Sequence, residues 1–178
     1  MNKDEEILLA FRTNKQIGFK ILMDAYQKPM YSFIRRMLVV HEDAEDVMQE
    51  VFIKVYFNLN KFRGESALKT WIFKIAANEC MRFLNKIAVD SVSIDGDDNN
   101  LITKLMDTEY VDYENELAVK FQKAILHLPY KQRIVFNLRY YDDLDYSAIS
   151  SITGIATDTV KVDYHYAKEK IVEYIKNN

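Results

Sequence analysis

The hydrophobic pattern of residues 41–62, HEDAEDVMQEVFIKVYFNLNKF, most constrains what this chain can fold into. Its apolar residues recur at the spacing i, i+3, i+4, i+7, which places them on one face of an α-helix; they are Ala44, Val47, Met48, Val51, Phe52 and Val55. The same period recurs along most of the chain, in which glycine and proline number only four and two. Because both residues disfavour helix interiors, their scarcity favours an all-α fold.

The polar face of this helix changes charge along its length. Acidic residues dominate its start, where they complement the positive end of the helix dipole. Asp46, Gln49 and Glu50 continue the acidic surface as a compact patch at i, i+3, i+4, whereas Lys54 and Lys61 make the far end basic. The face is either a solvated side of a bundle helix or a protein-binding surface.

Two helical segments are predicted before this one: a first helix over Asp4–Arg12, and one or two further helices over Ile17–Leu38. Pro29 predicts a kink or a junction within the second, because proline lacks the N–H that a helix interior uses. Arg35 and Arg36 are expected on the outer, solvated face.

The next segment, FRGESALKTWIFKIAANECMRFLNK over residues 62–86, combines cations with aromatic rings. Arg63-Gly64 indicates a turn and Ser66 a candidate N-cap of the following helix. Lysines that follow phosphates and rings that stack on bases suit single-stranded nucleic acid. The alternative is that the rings form the core, which we expect for Trp71, whereas Phe62 beside the turn is the better candidate for exposure.

Charge divides the chain into three segments. Residues 88–116 carry one lysine against nine carboxylates, while the segments on either side are mildly basic. We therefore predict two helical domains, 1–87 and 113–178, joined by an acidic flexible linker at 88–112 with one helical turn near Leu101–Met106. The linker is either a solvated tether or a polyanion that occupies a basic channel meant for nucleic acid.

The C-terminal segment predicts a helix-turn-helix. A short helix with Tyr146, Ile149 and Ile152 inward is followed by a turn at Gly154 and a longer helix. Glycine supplies the positive φ that such a turn requires. This order is typical of DNA-binding domains, although a glycine turn also joins helices in ordinary bundles.

Several function classes lack support in the sequence. Cys80 is alone, so no disulfide is possible and a reducing, cytoplasmic compartment is expected. The three histidines are far apart and predict no metal site. No phosphate loop, catalytic constellation, cofactor motif, secretory signal or membrane-length apolar run is present, so we predict a protein that is not an enzyme.

Three blocks together resemble the bacterial RNA polymerase sigma factors of the sigma-70 family, in their extracytoplasmic-function (ECF) group. The blocks are DAEDVMQEVFIKVY, KFRGESALKTWIFKIAANE and LPYKQRIVFNLRYYDDLDYSAISSITGIATDTVK. The resemblance implies an initiation factor that binds core RNA polymerase, directs it to promoters and captures the melted minus-10 strand. It also implies an anti-sigma partner.

Site residues follow from the same resemblance. Core-polymerase binding is implied for Asp46, Gln49 and Glu50. A flipped-base pocket for the minus-10 element is implied for Phe62 and Asn78, with Lys54, Phe73 and Lys74 nearby. In the C-terminal domain, Thr159, Lys161 and His165 are expected to contact the minus-35 element.

The recognition helix departs from the family pattern. Asp163 and Tyr166 stand where relatives often carry arginine, and Ala148 stands where they typically carry glutamate. Fewer cations release fewer counterions and weaken DNA binding. A sigma-like adaptor that binds polymerase or an anti-sigma protein, with little promoter recognition of its own, is therefore the alternative function.

Overall fold

The computed structural model of the protein describes residues 2–90, 98–106 and 114–178. Within these ranges the chain forms nine α-helices and no strand, which confirms the all-α prediction. The helices are α1 (Lys3–Thr13), α2 (Lys15–Leu38), α3 (His41–Asn58), α4 (Leu68–Asp90), α5 (Asp98–Met106), α6 (Glu116–Leu126), α7 (Tyr130–Tyr140), α8 (Tyr146–Thr153) and α9 (Thr157–Asn177), and a 3-10 turn spans Leu59–Lys61. No helix in the described ranges combines the length and apolar character that crossing a bilayer requires.

Helices α1 to α4 form the N-terminal domain, in which α2, α3 and α4 pack against one another and α1 lies on α2. The apolar face predicted for α3 is buried, as are the corresponding faces of α2 and α4. Helix α2 runs without a break from Lys15 to Leu38, so the predicted junction at Pro29 does not occur. The packing of this helix along the bundle outweighs the one backbone hydrogen bond that proline removes.

Helices α1 and α2 approach closely at Gly18. A Cβ atom added there would lie 2.2 Å from the backbone Cα of Phe11. That distance is far below van der Waals contact, and the obstacle is main chain rather than a flexible side chain. Glycine is therefore required at this crossing because no larger residue fits it.

The N-terminus of α4 is capped from a distance. The carboxylate of Asp4, on α1, accepts a hydrogen bond from the Leu68 backbone N–H at 3.0 Å and another from the Tyr26 hydroxyl at 3.1 Å. The expectation that Ser66 caps this helix is wrong, since its hydroxyl donates to the carbonyl of Ala67. A carboxylate at a helix N-terminus satisfies an unpaired N–H and complements the helix dipole.

Helices α6 to α9 form the C-terminal domain, whose own core includes Ala124, Ile125, Phe136, Ala167 and Ile171. Asp145 caps α8 by accepting from the Ala148 N–H at 2.7 Å. Gly154 ends α8 at φ +72°, the conformation predicted for the turn. The predicted helix-turn-helix is therefore formed by α8, the Gly154 turn and α9.

The two domains share a continuous hydrophobic core. Helix α8 packs on α4 and α7 packs on α2. Tyr130 donates from its hydroxyl to the carbonyl of Ala77 at 3.2 Å, and Asn137 donates from Nδ2 to the sulfur of Met37 at 3.2 Å. The buried residues that meet in this core include Phe73, Ala76, Ala77 and Cys80 from the N-terminal domain and Ile134, Val135, Leu138, Ile149 and Ile152 from the C-terminal domain.

The expectation that Arg36 is a solvated surface residue is wrong. Its guanidinium lies 2.7 Å from the Asp142 carboxylate, and both side chains are about nine-tenths buried. The same guanidinium stacks on the ring of Tyr141 at 4.5 Å, and Lys69 donates to the carbonyl of Asp142 at 3.0 Å. Sequence periodicity does not predict this burial, because Tyr141 and Asp142 come from the other domain.

Helix α5 lies within the acidic segment and is longer than the single turn predicted there. Its Leu105 is fully buried against Val39, in the turn between α2 and α3, and against Leu126 of α6. Val39 has φ +69°, a conformation that a β-branched residue rarely adopts. Residues 88–90 of the predicted flexible linker belong to the end of α4, and its residues 91–97 and 107–112 lie outside the described residues.

Candidate functional site

The acidic patch of α3 faces solvent. Asp46, Gln49 and Glu50 are all exposed, while Val47 and Val51 on the opposite side are buried. The patch forms one wall of a cleft of about 370 Å³, whose other wall belongs to α4 and includes Arg82, Phe83 and Lys86. The helical period alone thus places the three predicted polymerase-binding residues on one accessible surface.

An apolar groove continues this surface, and sequence reasoning missed it. Ile53 and Phe57 lie on α3 one and two turns beyond Gln49 and are 50% and 69% exposed. They line a groove of about 400 Å³ between α2 and α3, together with Phe19, Met23, Met48, Gln49, Phe52 and Tyr56. The signal was available in the sequence, because Ile53 and Phe57 fall outside the inward-facing positions of α3.

The turn before α4 builds a pocket around an aromatic pair. The rings of Phe62 and Trp71 are 5.5 Å apart at an interplanar angle of 57°. The pocket has a volume of about 460 Å³, and its lining also includes Lys61, Arg63 and Lys74. Phe62 is held by a hydrogen bond from its N–H to the carbonyl of Leu59 at 3.2 Å, and Gly64 turns the chain at φ +74°. Rings and cations therefore converge at one open site, as single-stranded nucleic acid requires.

Asn78 is exposed on α4, in the same helical row as this pocket. Trp71, Lys74 and Asn78 are spaced at i, i+3, i+7, so they project from one face. Asn78 does not line the pocket itself, because it lies one turn beyond Lys74. The predicted base-binding residues Phe62, Lys74 and Asn78 thus lie along one side of the domain, and Phe62 and Lys74 line the same pocket.

The expectation that Phe73 lies at the nucleic-acid site is wrong in this conformation. Its side chain is fully buried and packs against the ring of Phe33 at 5.3 Å. Lys69 covers the ring, with its ammonium 5.6 Å from the centroid. Position 73 falls on the inward face of α4, which the mixed aromatic and basic pattern did not distinguish from the outward face.

Lys54, also predicted to contact DNA, forms an ion pair with Glu79. Glu79 is a buried carboxylate, and its second oxygen lies 3.2 Å from the Arg82 guanidinium. Because α3 supplies Lys54 and α4 supplies Glu79 and Arg82, the three charges join the two helices. Glu79, which directly follows Asn78 in the sequence, therefore fixes the positions of the Lys54 and Arg82 side chains.

The predicted minus-35 residues are exposed on α9. Thr159, Lys161 and His165 all face solvent. Lys161 lies 3.8 Å from Asp158, and the imidazole of His165 lies 3.2 Å from Glu169. The Asp158 carboxylate thus partly offsets the positive charge of Lys161 on this helix.

The C-terminal domain reaches the aromatic pocket. Ser151, on α8, belongs to the pocket lining together with Phe62 and Trp71. The contact follows from the packing of α8 along α4. One edge of the pocket is therefore supplied by the domain that carries the recognition helix.

Comparisons with known proteins agree with this architecture. Residues 22–88 match the family model Sigma-70 region 2, and residues 118–171 match Sigma-70, region 4. The first match covers the acidic patch, the aromatic pocket and Asn78, and the second covers the helix-turn-helix.

Curated relatives match along most of their length. The ECF RNA polymerase sigma factor SigW of Bacillus subtilis is 29% identical over 170 residues, covering 91% of each chain. The ECF RNA polymerase sigma-E factor of Escherichia coli is 29% identical over 176 residues, covering 94% of this chain and 92% of the relative.

Solved structures have the same fold. The sigma factor RpoE of Bartonella quintana, in complex with the anti-sigma factor NepR, matches with a TM-score of 0.69 and 25% identity, covering 89% of this chain and 96% of RpoE. CnrH, in complex with the cytosolic domain of CnrY, matches with a TM-score of 0.72 over 99% of both chains, and at 15% identity this likeness concerns the fold alone. With both family regions in order and full-length relatives of one group, the chain belongs to the sigma-70 family of RNA polymerase sigma factors, in its ECF group.

Proposed function

We propose that this sigma factor binds core RNA polymerase through the acidic patch of Asp46, Gln49 and Glu50 and captures the melted minus-10 strand at the pocket of Phe62 and Trp71. The observation that carries the proposal is the separation of these two solvent-accessible surfaces on one helical domain. The patch is acidic and lies on α3, whereas the pocket is aromatic and basic and lies at the start of α4. The same molecule can therefore hold the polymerase and a DNA strand at once. As a sigma factor, the chain has no catalytic activity of its own.

The polymerase-binding surface extends along α3 into the apolar groove of Ile53 and Phe57. Carboxylates at one end attract basic side chains, and exposed apolar groups at the other end gain free energy when a partner covers them. Such a combination fits a partner helix with one apolar row and basic residues at its end.

Base capture follows from the chemistry of the pocket. Extruding a base costs a few kcal/mol, and stacking on an aromatic ring returns about 1–3 kcal/mol per base. Lys61, Arg63 and Lys74 attract the phosphates on either side. The amide of Asn78, one turn further along α4, supplies the hydrogen bonds that distinguish one base edge from another.

The C-terminal domain completes promoter recognition through Thr159, Lys161 and His165 on α9. Its few cations predict weak binding to the minus-35 duplex, so the domain adds specificity more than affinity. The site of action is the cytoplasm, where the polymerase works. An anti-sigma factor is the expected inhibitor, because the structural neighbour RpoE was solved with the anti-sigma factor NepR.

Reconstituted transcription tests both surfaces separately. We expect Asp46→Lys with Glu50→Lys to weaken binding to core polymerase about tenfold or more, since close interfacial charge pairs are worth a few kcal/mol. The matched control is Glu6→Lys with Glu173→Lys, which reverses two exposed charges on α1 and α9, away from the patch. Unchanged core binding by the Asp46 and Glu50 variant would overturn the docking assignment.

The pocket has its own test. We expect Phe62→Ala to lower open-complex formation about tenfold while duplex binding changes less than about twofold, because stacking acts only on the melted strand. Equal losses in both assays would overturn the assignment of the pocket to the single strand.

The second candidate function is a sigma-like adaptor with little promoter recognition. Two observations favour it: Tyr166 and Val162 are each half exposed on α9, and Asp163 places a carboxylate on the same helix. A titration of promoter duplex against the isolated sigma factor and its polymerase complex, at several salt concentrations, distinguishes the two functions. An adaptor would show no difference between promoter and random DNA in either form.

A further inference from the structure

Helix α5 joins the two domains at one point. Leu105 is fully buried in a small cluster with Val39 from the N-terminal domain and Leu126 from the C-terminal domain. Leu101 and Ile102, in the preceding turn of α5, pack on the same cluster. One side chain of the acidic segment therefore contacts both domains and excludes water from the junction.

An ion pair adds to this apolar contact. The ammonium of Lys104 lies 3.7 Å from the carboxylate of Asp43 in the first turn of α3. Lys104 is the one cation among residues 88–116. Asp43 is three positions before Asp46, so the two carboxylates are neighbours on the helix surface. The contact thus lies at the edge of the proposed polymerase-binding patch.

The turn that receives α5 has an unusual backbone. Val39 adopts φ +69° and is fully buried. A strained backbone conformation persists only where the surrounding residues hold it in place. Leu105 is one of the residues packed around Val39. Departure of α5 would remove a packing partner from a strained residue.

The packed arrangement of the domains does not fit a promoter. The minus-10 and minus-35 elements lie about 25 positions apart, or about 85 Å along B-DNA at about 3.4 Å per base pair. A compact chain of this length has a radius of gyration of about 16 Å. In the packed form, α8 also supplies one edge of the aromatic pocket through Ser151. The domains must therefore separate before both DNA elements are engaged.

We propose that α5 is a clasp that holds the free protein in its packed form: Leu105 bridges Val39 and Leu126, and Lys104 binds Asp43 at the edge of the polymerase-binding patch. A ligand of that patch competes with Lys104 for the acidic helix, and release of α5 frees the segment to extend between separated domains. The proposal concerns the free protein, and its test uses neither polymerase nor DNA. Its failure and that of the proposed function are therefore distinguishable.

The chain contains its own reporter of opening. Cys80 is the single cysteine and is fully buried in the core that the two domains share. It lies one turn after Ala77, whose carbonyl accepts the hydrogen bond from Tyr130 of the other domain. Burial also raises the pKa of its thiol. Separation of the domains would expose the thiol to reagents, while the packed form protects it.

The experiment measures the rate at which a disulfide reagent modifies Cys80 and the radius of gyration in solution. We expect Leu105→Asp to raise the rate about tenfold or more and to increase the radius, because a charge in the apolar junction expels α5. Leu117→Asp is the matched control, since Leu117 is 61% exposed on α6. An unchanged rate and radius in Leu105→Asp, or an equal increase in the control, would overturn the proposal.

If circular dichroism shows that Leu105→Asp has lost helicity, a second pair of variants tests the clasp instead. Asp43→Lys places two like charges together and should accelerate the modification of Cys80. Adding Lys104→Asp restores an opposite pair and should return the rate toward that of the wild type. Failure of the double variant to reverse the single one would overturn the contribution of the ion pair to the clasp.

Discussion

Arg36 of α2 and Asp142, which follows α7, form an ion pair of 2.7 Å in the interface between the two domains. Burial raises the pKa of the Asp142 carboxyl, and the charges of Arg36 and Lys69 offset the effect only in part. The folded chain therefore binds a proton at Asp142 more readily than the unfolded chain does. The contribution of this group to stability is complete below the ordinary carboxyl pKa of about 3.9 and is lost as the pH rises through the raised value.

The first prediction concerns this pH dependence. In urea unfolding measured from pH 4 upward, the wild type should lose stability relative to Asp142→Asn as the pH rises, because the variant has no proton to release. Asp143→Asn is the control, since its side chain is 94% exposed. Parallel stability curves for the wild type and Asp142→Asn would contradict the prediction.

The second prediction concerns the apolar groove. Phe57→Ser should weaken binding to core polymerase about tenfold, because burying a phenylalanine side chain is worth about 1.5–3 kcal/mol. Its effect on the free energy of unfolding should be small, since the side chain is 69% exposed in the free protein. Leu9→Ser removes a similarly exposed side chain from α1, outside the groove, and should leave polymerase binding unchanged. Competition with labelled wild-type protein for core polymerase measures the affinity of both variants.

The third prediction concerns Glu79 as a positioning residue. Glu79→Gln removes the charge that holds Lys54 and Arg82, at a cost of about 1.5–3 kcal/mol in stability. The released cations should raise affinity for any single strand and steepen its salt dependence, while discrimination between minus-10 sequences falls. Glu6→Gln, on the exposed part of α1, removes the same charge without releasing a cation. If Glu79 had only a structural role, Glu79→Gln would lower stability and leave the salt dependence of single-strand binding unchanged.

The fourth prediction concerns the crossing of α1 and α2. Gly18→Ala places a methyl group against the backbone of Phe11, so the helices must separate. We expect a loss of about 1–3 kcal/mol in the free energy of unfolding. Gln16→Ala, at an exposed position in the first turn of α2, is the comparison, and thermal unfolding gives the difference. Equal midpoints for the two variants would contradict the close approach.

Periodicity predicted most of the architecture because it reports which face of each helix is buried within its own domain. It placed the inward face of α3 correctly and with it the exposure of Asp46 and Glu50. It also located the helix-turn-helix, since the positive φ of Gly154 has a local chemical cause. Local sequence is sufficient for such features because their partners lie within a few turns.

Contacts between distant segments could not be predicted in this way. Arg36 was expected in solvent because its partner, Asp142, is 106 residues away. Phe73 was expected near the nucleic-acid site because of the family resemblance, although it packs on Phe33 inside the bundle. Charge and aromatic composition indicated the right helix for the pocket, but only the fold separates its inner rings from its outer ones.

The hydrogen bond from the Leu68 N–H to Asp4 ties α4, which carries the proposed minus-10 residues Trp71 and Lys74, to α1. Any change that removes Asp4 or displaces α1, such as an amino-terminal tag packed closely against it, would loosen the first turn of α4. That turn includes Trp71, and Lys74 lies in the next one. Preparations that differ at this end of the polypeptide would then differ in strand capture while their recognition helices stayed identical. A difference in promoter activity between tagged and untagged protein would therefore report, in part, how well Asp4 caps α4.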